Sequence, residues 1–193
     1  MTLILASSSP IRHQMLTAAG VDFEVVAPDV DETEIKARGQ APAAIAEELA
    51  AAKALSVARA RGDDWVIGSD SIVSVDGRVF SKPADIGEAA DHLRIFSGKT
   101  MRLTSAVALA RRTEVEWSHA EEALLHVRPL SEEFIRSYLD AEWPEVGYCV
   151  GVFRMEGRGV QLFSSVSGDH FTILGMPLIA LLGAVRERGL LPA

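Results

Sequence analysis

An aspartate stands inside an otherwise apolar run at residues 66–73, "VIGSDSIV". Burying a carboxylate in a strand is costly unless a partner meets it. One reading makes this an edge strand whose polar side meets water, where most aspartates lie. The other makes Asp70 a base held on a rigid element, with Gly68, Ser69 and Ser71 leaving room for a ligand. Cations that could serve such a site stand on either side. Ile45, Leu49 and Lys53 follow at helical spacing, so Lys53 lies on the shoulder of an apolar stripe. Its head either snorkels to water or points as a cation toward a ligand. Lys82, in "SKP", ends a strand just before a proline. The acidic stretch "PDVDETE" carries Asp29, Asp31, Glu32 and Glu34. It is either a solvated loop or a source of oxygen ligands that hold Mg²⁺ together with substrate phosphates.

The segment "LILASSSPIRHQML", residues 3–16, adds hydroxyls and a guanidinium at the end of a short apolar strand. Pro10 suits the first position of a helix and Ser9 its N-cap. A capped helix in a tight connection needs only one serine. Three serines, unpaired helix N–H groups and Arg12 one turn inside also fit an anion site.

Two attractive patterns fail. "SGKT" at 97–100 resembles the tail of a P-loop, yet Leu93 stands where that motif needs glycine, and a helix precedes it instead of a strand. The five histidines show no metal spacing, and one cysteine makes a structural zinc site untenable.

The elements that must position these residues alternate between strand and helix. Strands are expected at 3–6, 23–27, 101–110 and around 114–127, and "DDWVIGSDSIVSVDGRVFSKP" gives a long strand, an Asp76-Gly77 hairpin turn and a return strand. That turn pairs Val75 with Arg78 and, extended further, sets Ser71 opposite Lys82. Pro42 opens an alanine-rich helix to about Arg61, Asp85 and Glu88 form a capping box, and Ser131 caps a helix ending before Pro144. Residues 147–174 read as strands and turns, and Pro177 starts a closing helix. Hairpins among alternating strands and helices indicate α/β with a mixed sheet.

The chain of 193 residues reads as one domain spanning 1–193. Nineteen basic against 27 acidic residues give a net charge of −8, which argues against a nucleic-acid surface but leaves room for a phosphate ligand held by local cations. Cys149 is the only cysteine, so no intrachain disulfide can form. The first apolar run is too short for a signal peptide, and no stretch has the length of a membrane span. A cytoplasmic protein with no membrane partner is expected.

Taken in order, "LILASSSPIRHQML", "DVDE", "AAAKA", "GSDSIV", "SKP", "SGKT" and "EGRGVQLFSSVSGDHFTILGMPLIALL" resemble the motifs of the Maf-like nucleotide pyrophosphatases, from Leu3 to about Leu190. The resemblance implies a mixed twisted sheet with flanking helices and two lobes around a central cleft. It also implies hydrolysis of a nucleoside triphosphate to monophosphate and pyrophosphate with a divalent cation, Mg²⁺ or Mn²⁺. Asp70 matches the family's proton acceptor. Arg12, Lys53 and Lys82 match its phosphate-side cations, Ser7 and Ser9 its first-loop serines, and Glu32 an acidic residue that with Asp70 would hold the metal. A homodimer would be in keeping with the family.

Three positions bear on the base. Relatives acting on dTTP and UTP carry arginine, threonine and glutamine where Ile11, Ser71 and Glu156 stand. The branch resembling 7-methyl-GTP pyrophosphatase has an aromatic residue, glutamine and glutamate there. Glu156 suits a cationic 7-methylguanine, whereas Ile11 offers none of the stacking an aromatic would give. An inosine-triphosphate-type pyrophosphatase and a non-catalytic nucleotide-binding regulator of cell division are the alternatives. The latter has no need of the Asp70, Lys82 and Glu32 set.

Overall fold

The computed structural model describes residues 2–192. Its elements in chain order are β1 (Leu3–Ala6), α1 (Pro10–Ala18), β2 (Glu24–Val26), α2 (Glu32–Ala37), α3 (Pro42–Ala58), β3 (Trp65–Val75) and β4 (Arg78–Phe80). There follow α4 (Ile86–Phe96), β5 (Thr100–Arg111), β6 (Glu114–Val127), α5 (Glu132–Glu142), β7 (Phe163–Ser167), α6 (His170–Leu174) and α7 (Leu178–Glu187). The strands bond in the order β2-β1-β3-β5-β6-β7, with β4 on β3. β1 runs parallel to β2 and β3, whereas β4 is antiparallel to β3 and β7 to β6. The sheet is therefore mixed, as hairpins among the alternating strands and helices indicate.

Two compact units share this chain. The first comprises residues 1–71, 104–121 and 169–193, and the second 72–103 and 122–168. β3, β5 and β6 contribute residues to both.

In the first unit, β1 is buried along its whole length, so both of its faces must be covered. Leu3, Leu5 and Ile67 join one core cluster with Met15 and Leu16 of α1 and Leu178, Leu181 and Val185 of α7. Strand side chains alternate between faces. Gly68 accordingly points the other way, and a Cβ there would lie 2.1 Å from the Ala50 carbonyl oxygen and 2.5 Å from the Ala54 nitrogen. The glycine lets α3 lie directly on β3. On that helix Ile45, Ala46, Leu49, Ala50 and Ala54 are buried, and only small residues occupy the line of closest approach.

In the second unit the hairpin pairs Val75 with Arg78 and Val73 with Phe80, and Asp76 and Gly77 both take positive φ. Phe80 packs edge-on to Phe96 of α4 at 4.8 Å. Ser131 caps α5 by accepting from Phe134 N at 3.1 Å, and Asp85 caps α4 by accepting from Glu88 N at 2.9 Å.

Several expectations need correction. The acidic stretch is not all loop: Asp31 accepts from Thr33 N at 2.9 Å and so starts α2. Residues 147–174 are not simply strands and turns, since 3₁₀ turns occupy Glu145–Tyr148 and Arg158–Leu162 and α6 closes the stretch. Ser9 stands at the N-cap of α1 but its side chain makes no capping bond. The hairpin ladder stops at Phe80, so its register does not extend to Lys82. Three residues followed closely by Pro83 are too few to carry it further.

Candidate active site

β1 stops at Ala6, which pairs with Gly68, while its parallel neighbour β3 continues to Val75. The chain leaves the sheet through Ser7–Ser9 beside Ser69, Asp70 and Ser71, at the carboxyl end of a parallel strand. Open α/β sheets place their ligands at such ends. β3 then distributes side chains by parity, Asp70 toward α3 with Gly68, and Ser69 and Ser71 toward α1 and α6.

On the α3 side, Asp70 is 7% exposed, which removes the edge-strand reading. Its Oδ1 accepts from Lys53 Nζ at 2.5 Å. The same ammonium lies 2.6 Å from Glu32 Oε1, and Glu32 Oε2 accepts from Lys36 one turn along α2 at 2.5 Å. Glu32, Lys53 and Asp70, drawn from three elements, thus meet at one nitrogen. Burial pushes the Glu32 carboxyl up, but the bonds from Lys36 and Lys53 outweigh it and hold the group down at about 2. Asp70 Oδ2 has no protein partner among the described residues.

On the other side, Arg12 is half-buried and tightly oriented. Its Nε donates to Gly175 O at 2.9 Å, Nη1 to Ser69 O at 2.9 Å and Nη2 to Ser71 Oγ at 3.1 Å. A guanidinium has five N–H donors, so one remains on each terminal nitrogen. Burial pushes this guanidinium down, opposed by the charges of Asp70 and Glu32. Ser71 Oγ meets Ser105 Oγ at 2.9 Å, and Ser105 Oγ donates to Thr172 O at 2.9 Å. Gly175 sits at φ 110°, where its carbonyl also receives Ser71 Oγ at 3.1 Å and Ser69 Oγ at 3.2 Å. Asp169 secures this turn by accepting from Phe171 N and Thr172 N.

Ser7 is 3% exposed and its Oγ accepts from Ser9 N at 3.1 Å, so this hydroxyl shapes the turn. The Ser7 carbonyl meets His13 Nε2 at 2.8 Å. Pro10 has no N–H and His13 N bonds Ser9 O, which leaves the amides of Ile11 and Arg12 without partners inside the helix. Ile11 is half-buried on that first turn.

The Maf-like protein family profile matches residues 2–188 of this chain. The chain belongs to the Maf-like family. It is 46% identical over 195 residues to a protein of Rhizobium meliloti (strain 1021) named 7-methyl-GTP pyrophosphatase, covering 99% of this chain and 98% of the relative. It is equally 46% identical over 197 residues to a protein of Sphingopyxis alaskensis named nucleoside triphosphate pyrophosphatase, covering both in full. Equal likeness to two differently named relatives leaves the base preference to the residues themselves.

Of the candidate site residues, Lys82 and Glu156 lie in the second unit. Lys82 is exposed in the segment after β4. Glu156 is exposed and accepts from Arg154 Nε at 3.3 Å, so a neighbouring cation already compensates its charge. The rejected P-loop pattern is part of a helix stop: Gly98 follows α4 at φ 72°, and Lys99 pairs with Asp76 at 2.8 Å. Burial, with Glu156 adding to it, pushes the Cys149 thiol up to about 11.

Sequence reasoning missed Ser69 and Ser105 as framework hydroxyls, Gly175 as their shared acceptor, and Lys36 as support for Glu32. Ser105 carried a usable sign, since "LTSAV" is polar inside an apolar strand just as "GSDS" is. No group of three or more metal-ligating side chains occurs among the described residues. Two carboxylates meeting at one point suit Mg²⁺ or Mn²⁺ when substrate oxygens and water complete the shell. Among the described residues no helix is long and apolar enough to cross a membrane.

Proposed function

We propose that this chain hydrolyses a nucleoside triphosphate to the monophosphate and pyrophosphate. The observation that carries the reading is a nearly buried carboxylate, Asp70, fixed on a strand and sharing one ammonium with Glu32. A nucleotide-binding regulator has no use for that costly arrangement.

The triphosphate binds at the carboxyl end of β1. The free amides of the first turn of α1 and the two remaining Arg12 donors face its charge. Ser9 keeps a hydroxyl with no partner among the described residues there, while Ser7 shapes the loop. Lys53 and Lys82 are the further phosphate cations. Asp70 Oδ2 accepts a proton from a water that attacks the α-phosphorus. The bond from that phosphorus to its bridging oxygen breaks, and pyrophosphate departs with the bond's electron pair. Glu32 and Asp70 would hold a divalent cation, which supplies charge stabilisation for the transferring group when bound. Glu156 leans toward the 7-methyl-GTP branch, whereas Ile11 and Ser71 depart from it. We read the protein as cytoplasmic and its assembly as a homodimer.

The test is a panel of UTP, dTTP, CTP, GTP, 7-methyl-GTP and ITP with Mg²⁺ or Mn²⁺, with pyrophosphate and orthophosphate quantified separately. Pyrophosphate released by the wild type and lost in Asp70→Asn is the expected result. Nucleotide binding without pyrophosphate release would return the regulatory reading.

A further inference from the structure

Lys53 Nζ occupies a position that a divalent cation would need. It lies 2.5 Å from Asp70 Oδ1 and 2.6 Å from Glu32 Oε1, on the two carboxylates that the proposed function assigns to the metal. A divalent cation held by these two carboxylates would need the space between them, so ammonium and metal would exclude one another. The lysine side chain is 12% exposed and that of Asp70 9%, which leaves little room for both.

Ejecting the ammonium without a new partner is unfavourable, because it leaves a nearly buried charge unpaired. A polyphosphate supplies the missing partner. Among the described residues the third N–H of the ammonium has no partner, and the amides of α1 and the spare Arg12 donors stand ready to hold the same anion. Lys36 keeps Glu32 Oε2 in place when Lys53 departs. The carboxylate pair therefore does not have to reassemble.

We propose that Lys53 is an internal counter-ion that keeps the divalent cation out of the Glu32–Asp70 pair until a nucleotide's phosphates draw its ammonium away. This rests on the assignment of Glu32 and Asp70 as the metal ligands. It gives an order of events: metal arrives with the nucleotide or after it, and the protein without nucleotide does not hold metal at this pair.

The test uses Mn²⁺ alone at pH 8, without nucleotide, following the paramagnetic resonance of the free ion. Wild type, Lys53→Met, Lys53→Gln and the Glu32→Gln/Lys53→Met double variant are compared, each with a thermal melt to establish folding. Wild type is expected to retain no Mn²⁺ in the micromolar range. Lys53→Met and Lys53→Gln should each bind one ion per chain at least about tenfold more tightly, because a cation within bonding distance has been removed. The double variant should lose that gain. Micromolar binding by the wild type, a folded Lys53 variant that binds no better, or a gain that survives Glu32→Gln would each overturn the proposal. Pyrophosphate release by the wild type is recorded in parallel. Its absence would defeat the enzymatic reading, whereas the metal titration decides the counter-ion role of Lys53 separately.

Discussion

Gly68→Ala probes the contact on which the Lys53–Asp70 pair depends. The added methyl would lie 2.1 Å from the Ala50 carbonyl oxygen, about 1.3 Å short of ordinary contact at 3.4 Å, and 2.5 Å from Ala54 N. Both obstacles are helix backbone, so no side chain can swing aside. Either α3 lifts from β3 or the strand bends. Overpacking of a core typically costs 1–3 kcal/mol, and the rigid obstruction puts this case at about 3 kcal/mol. For a chain of this size each kcal/mol moves the melting temperature by about 2–4 °C, so calorimetry should show a fall of about 6–12 °C. Lys53 lies between Ala50 and Ala54 on the same helix, and displacement of that order would stretch its 2.5 Å bond to Asp70. Misplacement by an ångström costs on the order of a hundredfold in rate, so pyrophosphate release should fall by about that factor. Gly183→Ala is the control: it lies within α7, meets nothing within 4 Å and should stabilise by about 0.5–1 kcal/mol. A Gly68→Ala protein that melts with the wild type and keeps its activity would refute the reasoning.

Three other perturbations follow from the same geometry. The Glu32 carboxyl is held at about 2 in the folded chain against an ordinary 4.5, so its contribution is complete above pH 4.5 and disappears as the pH falls toward 2. Melting temperatures of wild type and Glu32→Gln should thus differ at pH 7 and converge across that window; a constant gap would contradict the assignment. Because the side chain is 34% exposed, added salt should also narrow the gap. Gly175→Ala forces a side chain into φ 110° and sets a Cβ 3.3 Å from Ser71 Oγ. A loss of about 1–3 kcal/mol in a thermal melt and a raised KM for the triphosphate are expected, as Arg12 loses its alignment. With its thiol at about 11, Cys149 should react with a disulfide reagent at pH 8 roughly a hundredfold more slowly in the folded protein than in denaturant. Equal rates would show the thiol to be unperturbed.

Asp70 was legible because charge inside an apolar strand demands an explanation, and burial on a central strand supplies it. The elements around it were legible from caps and periodicity. Ser131, Asp85 and the Asp76-Gly77 turn all stand where local chemistry puts them. The partner of Asp70 was another matter. Extending the hairpin register pointed to Lys82, but the ladder ends at Phe80, and the bonded cation is Lys53, seventeen residues earlier. That pairing depends on how closely α3 approaches β3, a tertiary distance written only as one glycine in a strand and an alanine-lined helix. α2 escaped notice because six residues, three of them charged, carry little periodicity. Its sign was the Glu32–Lys36 spacing. Arg12 matched the motif as a phosphate cation, yet most of its bonds go to the protein's own carbonyls and Ser71, reached only through contacts distant in sequence.

The bond between Arg12 and the Gly175 carbonyl joins residues 163 apart in the chain. At 5–20 residues per second on the ribosome, about 10–30 s separate their appearance. Arg12 exists throughout that interval, and Ser69 and Ser71 for roughly its last two thirds, without the carbonyl that aligns them. Translation thus supplies a timer: a nascent chain holds Asp70 and Lys53 early, but the Arg12 guanidinium is aimed only when the segment after Asp169 arrives.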